Sequence, residues 1–256
     1  MLSKNQVKYL HSLRLGKFRN DEKVFLAEGR KLVNELLNSD FQVIQIFGIR
    51  EWMESNIHLF QKNTSVFFEI TSEELKKISN QVTPNEVLAV VKFPESEMPG
   101  QSSLGNIILF LDRIQDPGNL GTIIRTADWF GIKNIFCSEG TADVFSPKVI
   151  QATMGSICRV KLHYLELSEL LRHLDETWKI YGAVMDGENI YKSELLFPAV
   201  IVIGNESKGI SEQSLNLLTS KVGIPFFSKG TDSLNASVAT GIILSEFRRK
   251  FMVNPT

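Results

Sequence analysis

The chain has 256 residues, with 28 Lys plus Arg against 29 Asp plus Glu, a formal net charge of −1 and 43% hydrophobic residues. That allows one large domain or two modest ones, and supplies no overall polycation to mark a nucleic-acid binder. No apolar run is long enough to cross a bilayer, the first residues lack a signal-peptide core, and Cys137 and Cys158 have no Cys-x-x-Cys partner, so a reducing, cytoplasmic compartment is expected.

Residues 3–15 place Val7, Leu10, Leu13 and Leu15 among basic residues, which predicts a short amphipathic helix. Charge is unevenly spread. Up to Lys31, eight Lys or Arg (Lys4, Lys8, Arg14, Lys17, Arg19, Lys23, Arg30, Lys31) stand against Asp21, Glu22 and Glu28. A solvated helix face would account for this segment, and a surface that tracks phosphates is the other reading. A strand is expected at 24–27 and a helix at 29–37, with Leu32, Val33, Leu36 and Leu37 on its apolar face. Strands at 43–47 and 65–69 flank a helix near Glu51. Thr71-Ser-Glu-Glu opens another helix with a capping box, and 86–92 closes this half as a continuous Val/Leu/Ala strand. Residues 93–105 hold two prolines, two glycines and no hydrophobic period, the signature of a linker.

Beyond the linker, strands at 107–111, 133–137, 178–184, 199–203 and 220–224 alternate with helices, as in a mainly parallel sheet. Three of these strands run into turns rich in Gly, Asn or Pro and then into a helix, and that edge of an open α/β sheet is where ligands bind. The first turn is Asp112-Arg-Ile-Gln-Asp-Pro-Gly-Asn119, leading to Arg125. The second is Gly204-Asn-Glu-Ser-Lys-Gly209. The third is Gly223-Ile-Pro-Phe226, followed by Ser233-Leu-Asn235 at the threshold of an apolar helix. An N-cap alone would explain Ser233 and Asn235, and Asn205 reads first as a turn former. A surface salt bridge to Asp128 or Asp116 would explain Arg125. The second turn lacks the Lys-Ser/Thr of a P-loop, and the first lacks a Gly-x-Gly, so neither nucleotide hydrolysis nor a Rossmann cofactor site follows. The four histidines form no metal-ligand cluster, and metal catalysis is not expected.

Taken together, Asn119-x-Gly-x-x-x-Arg125, Gly204-Asn-Glu-x-x-Gly209 and Ile224-Pro with Ser233-Leu-Asn-x-Ser-Val238 resemble the three motifs of the SpoU (TrmH-type) RNA 2′-O-ribose methyltransferases of the SPOUT class. Their order and spacing match across about 107–251. The one local departure is Ser207, where many members have glycine. The resemblance implies an α/β fold with a deep trefoil knot in a parallel-sheet domain (106–256), joined by the linker to a small α/β domain for RNA substrate (1–92). Periodicity could not have shown a knot, which fold-level rules treat as essentially absent. The implied cofactor is S-adenosylmethionine, met largely by backbone at Gly204, Ile224 and Leu234, with Asn205 and Ile203 beside them. Implied catalytic residues are Arg125, Asn119, Glu206, Ser233 and Asn235. Arg125 would act as base or as stabiliser of the developing alkoxide. Lys4, Lys8, Arg14, Lys17 and Arg30 are the candidate RNA contacts, and no metal is implied. A homodimer through the C-terminal domain is expected, in which Arg125 serves the partner's pocket. Ribosomal RNA is the expected substrate, with transfer RNA or a non-catalytic RNA-binding factor on the same fold as alternatives.

Overall fold

The computed structural model describes residues 1–60, 65–95, 97–227 and 233–253. In chain order its first half has α1 (Lys4–Ser12), α2 (Gly16–Glu22), β1 (Val24–Glu28), α3 (Arg30–Leu37), β2 (Val43–Gly48), α4 (Arg50–Ser55), α5 (Ile57–Phe60), β3 (Val66–Glu69), α6 (Ser72–Ile78) and β4 (Val87–Lys92). The second half has β5 (Ile107–Asp112), α7 (Pro117–Trp129), β6 (Asn134–Cys137), α8 (Pro147–Ala152), β7 (Lys161–Tyr164), α9 (Leu167–Arg172), β8 (Lys179–Asn189), β9 (Ala199–Gly204), α10 (Glu212–Leu215), β10 (Ser220–Gly223) and α11 (Ala236–Val253). Among the described residues no helix is long and apolar enough to cross a membrane.

The elements form two compact units, one made of Met1–Glu95 with Asp143–Cys158 and the other of Ser96–Ala142 with Arg159–Thr256. The first holds a four-stranded sheet in the order β1-β4-β2-β3, antiparallel except between β2 and β3. Leu10 and Leu13 from the amphipathic start pack with Leu26, Leu88 and Val90 under one face of this sheet. Ser3 and Gln6 close a capping box on α1, and Thr71 and Glu74 close another on α6, so each helix satisfies its first free N–H groups locally. The expected helix over 3–15 stops at Ser12, and a separate helix starts at Gly16. Arg19, on that second helix, is buried, donating to the carbonyls of Leu13 (3.0 Å) and Arg14 (2.7 Å) and to Asp143 (2.6 Å).

The sequence reading assigned 143–158 to the second domain, but contacts group it with the first unit. The cause is aromatic as well as ionic. Phe145 stacks on Phe25 and Phe93 at centroid distances of 5.0 and 4.1 Å.

The second unit is a six-stranded sheet in the order β10-β8-β9-β5-β6-β7, parallel throughout. Its central strands β5 and β9 are buried along almost their whole length, as expected when helices cover both faces. Phe110, Phe136, Val200 and Val202 form the core of one face with Leu167, Leu170 and Ile210. Because the strands run the same way, their carboxyl ends collect at one edge, and the three Gly/Asn turns leave the sheet there.

Candidate active site

The first side chain at that edge is placed by a helix start. Asp116 is the N-cap of α7, its Oδ1 accepting the Asn119 N–H at 2.8 Å, and Pro117 occupies the first turn, where its missing N–H costs nothing. Leu120, Ile123, Ile124 and Ala127 bury the opposite face and fix the rotation of the helix, leaving the Asn119 amide half-exposed. Arg248 from α11 donates to the carbonyls of Phe130 (2.7 Å) and Gly131 (3.3 Å), tying down the far end of α7. Burial holds that guanidinium pKa below its usual value.

The second turn follows β9. Gly204 lies opposite Asp112 in the parallel register, and a Cβ on it would meet the Gly209 carbonyl carbon at 2.3 Å, so only glycine fits. Asn205 and Gly209 exchange backbone hydrogen bonds (3.0 and 2.9 Å), with Gly209 at φ 68° closing the loop. The Asn205 side chain accepts from the Ser207 and Lys208 N–H groups (2.9 and 3.0 Å) and donates to the Arg113 carbonyl at 2.9 Å. It is therefore a turn former and also a cross-link to the first motif.

The third element caps α11. Asn235 accepts the Ala239 N–H through its backbone carbonyl (2.9 Å), while its Oδ1 accepts from the Ser237 N–H and hydroxyl (2.9 and 2.6 Å). Its Nδ2 donates to Asn119 Oδ1 at 2.8 Å, and Asn119 Nδ2 donates to Glu206 Oε1 at 2.5 Å. The direction of this chain is dictated by its end. An ionised carboxylate only accepts, so Asn119 turns its NH2 to Glu206 and its oxygen to Asn235, which must turn its own oxygen to the helix N–H groups. One carboxylate thereby orients two amides from segments distant in sequence.

Not every predicted residue joins this chain. Arg125 is exposed, and among the described residues it has no hydrogen-bond or ion-pair partner. The salt bridges considered for it are absent, since Asp128 holds Arg159 at 2.9 Å and Asp116 serves as the N-cap. Arg125 lies six positions beyond Asn119, which turns it to another side of the helix, onto a stripe with exposed Thr122 and Trp129. Ser233 and Leu234 are exposed and Ile224 is half-buried, whereas the Ile203 side chain is buried in the sheet and leaves only its backbone available. In the first unit Lys4, Lys8 and Lys17 are exposed. Arg14 is not a free cation, because its guanidinium donates to the carbonyls of Ile78 (3.2 Å) and Ser79 (2.9 Å) at the end of α6. Arg30 pairs with Glu86 at 2.9 Å. Glu28 accepts from both the Asn80 backbone and side chain, a role in shaping that turn.

Sequence reading missed Asp112. This carboxylate is 1% exposed at the last position of β5, where its Oδ2 accepts the Ser211 N–H (2.8 Å) and its Oδ1 the Ser138 hydroxyl (3.0 Å). The signal was present as a charged residue ending a run of five apolar ones, Ile107-Ile-Leu-Phe-Leu111. The same edge opens into a cavity of about 510 Å³ lined by Arg113, Glu139, Gly140, Glu166 and Gln213. Among the described residues, no group of three His, Cys, Asp or Glu side chains is placed to hold a metal ion.

Comparison with known proteins bears on both units. Residues 106–245 match the SpoU rRNA Methylase family, and residues 4–89 match an MRM3-like substrate binding domain. The chain is 30% identical over 257 residues to the 23S rRNA (guanosine(2553)-2′-O)-methyltransferase RlmP of Bacillus subtilis, covering 96% of this chain and 97% of that protein. It is 34% identical over 232 residues to the 23S rRNA (guanosine-2′-O-)-methyltransferase RlmB of Shewanella oneidensis, covering 89% and 88%. Its structure is similar to that of an AdoMet-bound rRNA methyltransferase from Sinorhizobium meliloti, with a TM-score of 0.86, 28% identity, and coverage of 97% of this chain and 96% of that one.

Proposed function

Because this chain belongs to the SpoU rRNA methylase family, we propose that it methylates a ribose 2′-hydroxyl of ribosomal RNA using S-adenosylmethionine. The observation that carries the reading is the hydrogen-bonded chain Asn235–Asn119–Glu206, which draws the three motifs to one point at the carboxyl edge of the sheet.

The residues present fit the cofactor. Gly204 and Gly209 leave the two ends of the second loop without side chains, with open space where a Gly209 Cβ would stand. Ile224, Leu234 and the Ile203 backbone offer apolar and main-chain contacts of the kind that suit an adenine. When bound, S-adenosylmethionine supplies the methyl group and its own leaving group. What remains for the protein is to align the hydroxyl and stabilise charge developing on its oxygen. Asn119 and Asn235, locked by Glu206, provide fixed amides for alignment, and Ser233 stands beside them in the chain. Arg125 supplies the positive charge. Its exposure and its place on the far stripe of α7, together with the exposed Trp129, favour delivery to the pocket of a second copy in a homodimer. The SPOUT trefoil knot belongs to the same reading, as the threading that brings the late third motif beside the first.

The first unit is the RNA-gripping part, with Lys4, Lys8 and Lys17 among its exposed cations. Support comes from its match to a substrate-binding domain and from the exposure of those lysines.

Methyl transfer to ribosomal RNA from a strain lacking this gene tests the whole reading, with new 2′-O-methyl groups mapped by alkaline-resistant linkages. Sharing of the site has its own measurement. Arg125→Ala and Asn235→Ala should each be inactive alone, while a mixture refolded together should regain roughly a quarter of the wild-type sites, as statistical pairing of a shared-site dimer requires. No regain would confine Arg125 to its own chain. No methyl transfer by the wild-type protein to any ribosomal RNA would remove the enzyme assignment.

A further inference from the structure

Asp112 belongs to none of the groups just assigned, yet it is the most completely buried carboxylate at the strand-end edge, with a relative exposure of 1%. We propose that Asp112 is a positioning residue for methyl transfer, holding from beneath both ends of the loop that presents Glu206. The proposal rests on the methyltransferase reading and adds to it the device that fixes the Asn119–Glu206 bond.

The hold is direct at one end. Asp112 Oδ2 accepts the N–H of Ser211, the N-cap of α10, just beyond Gly209. At the other end it runs through two bonds. Asp112 Oδ1 accepts the Ser138 hydroxyl, and Ser138 Oγ accepts the Arg113 N–H at 2.9 Å, in a residue held at φ 59°. The Arg113 carbonyl then receives the Asn205 side chain. A non-glycine residue at positive φ is costly, and here it is kept in place by bonds on both its N–H and its carbonyl. Glu206 therefore sits on a loop whose two feet are pinned to a single carboxylate. From that loop its Oε1 reaches to 2.5 Å from Asn119.

A double-mutant cycle tests this. Asp112→Asn keeps the shape and one accepting oxygen but removes the charge and one acceptor. Single-turnover methyl transfer, with RNA and cofactor saturating, should fall about tenfold in Asp112→Asn, the scale of a small misplacement. In a Glu206→Ala background the same change should cost nothing more, because the side chain that carries the path is gone. A merely structural Asp112 would instead give losses that multiply, and that result overturns the proposal. The resting protein gives a reading independent of chemistry. Side-chain amide proton shifts of Asn119 should move in Asp112→Asn, and unchanged shifts would also overturn it. Should Asp112→Asn fold poorly, Ser138→Ala cuts the indirect arm alone and must show the same non-additivity with Glu206→Ala. An inactive wild type would refute the methyltransferase reading, while the Asn119 shifts would still decide whether Asp112 positions the loop.

Discussion

Asn119→Ala is the most informative single perturbation of the site, because Asn119 bonds to both other motifs. The substitution deletes a bond to a carboxylate (2.5 Å) and a neutral amide–amide bond (2.8 Å). Bonds to charged groups contribute about 1.5–3 kcal/mol and neutral ones about 1 kcal/mol when their partners are otherwise dry. Here Asn119 and Glu206 are half-exposed and Asn235 is exposed, so water can take the freed groups. Global stability should fall by no more than about 1 kcal/mol. The larger loss should appear in the transition state, where loose amides no longer align the hydroxyl. A loss of about 2.7 kcal/mol there is a fall of roughly 100-fold in single-turnover rate. Asn119→Asp sharpens the test by setting a second carboxylate beside Glu206. At about 3 Å, with an effective dielectric between about 80 and 20, that repulsion is about 1–6 kcal/mol. One proton shared between the two carboxylates relieves it. The rate of Asn119→Asp relative to wild type should therefore rise as pH falls, while the ratio for Asn119→Ala stays flat. The assay is single-turnover transfer to ribosomal RNA with cofactor affinity measured in parallel. A rate for Asn119→Ala within about threefold of wild type would refute the reasoning.

Replacing Lys4, Lys8 and Lys17 by alanine should weaken RNA binding and lower the salt slope of log K by about two to three, with cofactor affinity unchanged in calorimetry. Arg14→Ala should instead lower the urea midpoint, by about 1–3 kcal/mol in stability, since it strips the Ile78 and Ser79 carbonyls of their donor. Glu74 accepts the N–H groups of Leu2 and Thr71, which hold its pKa below the usual carboxylate value. Its stabilising effect is thus present above the unfolded-state pKa and is lost as pH falls through the lower folded-state one. The gap in urea midpoint between wild type and Glu74→Gln should close over that acid range.

Sequence made the second sheet legible because β5 and β9 are long, apolar and bounded by turn chemistry. The one described strand of that sheet outside the sequence expectation is β7, four residues reading Lys161-Leu-His-Tyr164 at an edge, where burial of His163 against Phe136 replaces an apolar pattern. The break between α1 and α2 also escaped, since Leu13 and Leu15 continue a helical period that the chain itself interrupts. The three motifs could be read because each is local, but which way their amides point could not. That direction depends on Glu206 meeting Asn119 across 87 positions of sequence. Arg14 shows the converse case. Its charge fitted a basic stripe, and only the distant end of α6 reveals where that charge is spent.

The return of 143–158 to the first unit sets an order of events during synthesis. Arg19 leaves the ribosome 124 positions before Asp143, and Phe25 and Phe93 precede Phe145, so the early half is made without its ion partner or its third ring. At roughly 5–20 residues per second that interval lasts about 6–25 s, in which a buried cation site and the Phe25 face stand open. A chain cut after residue 92 would stay in that state permanently. The smallest piece able to complete the first unit therefore extends through Cys158 and carries β5, α7 and β6 with it.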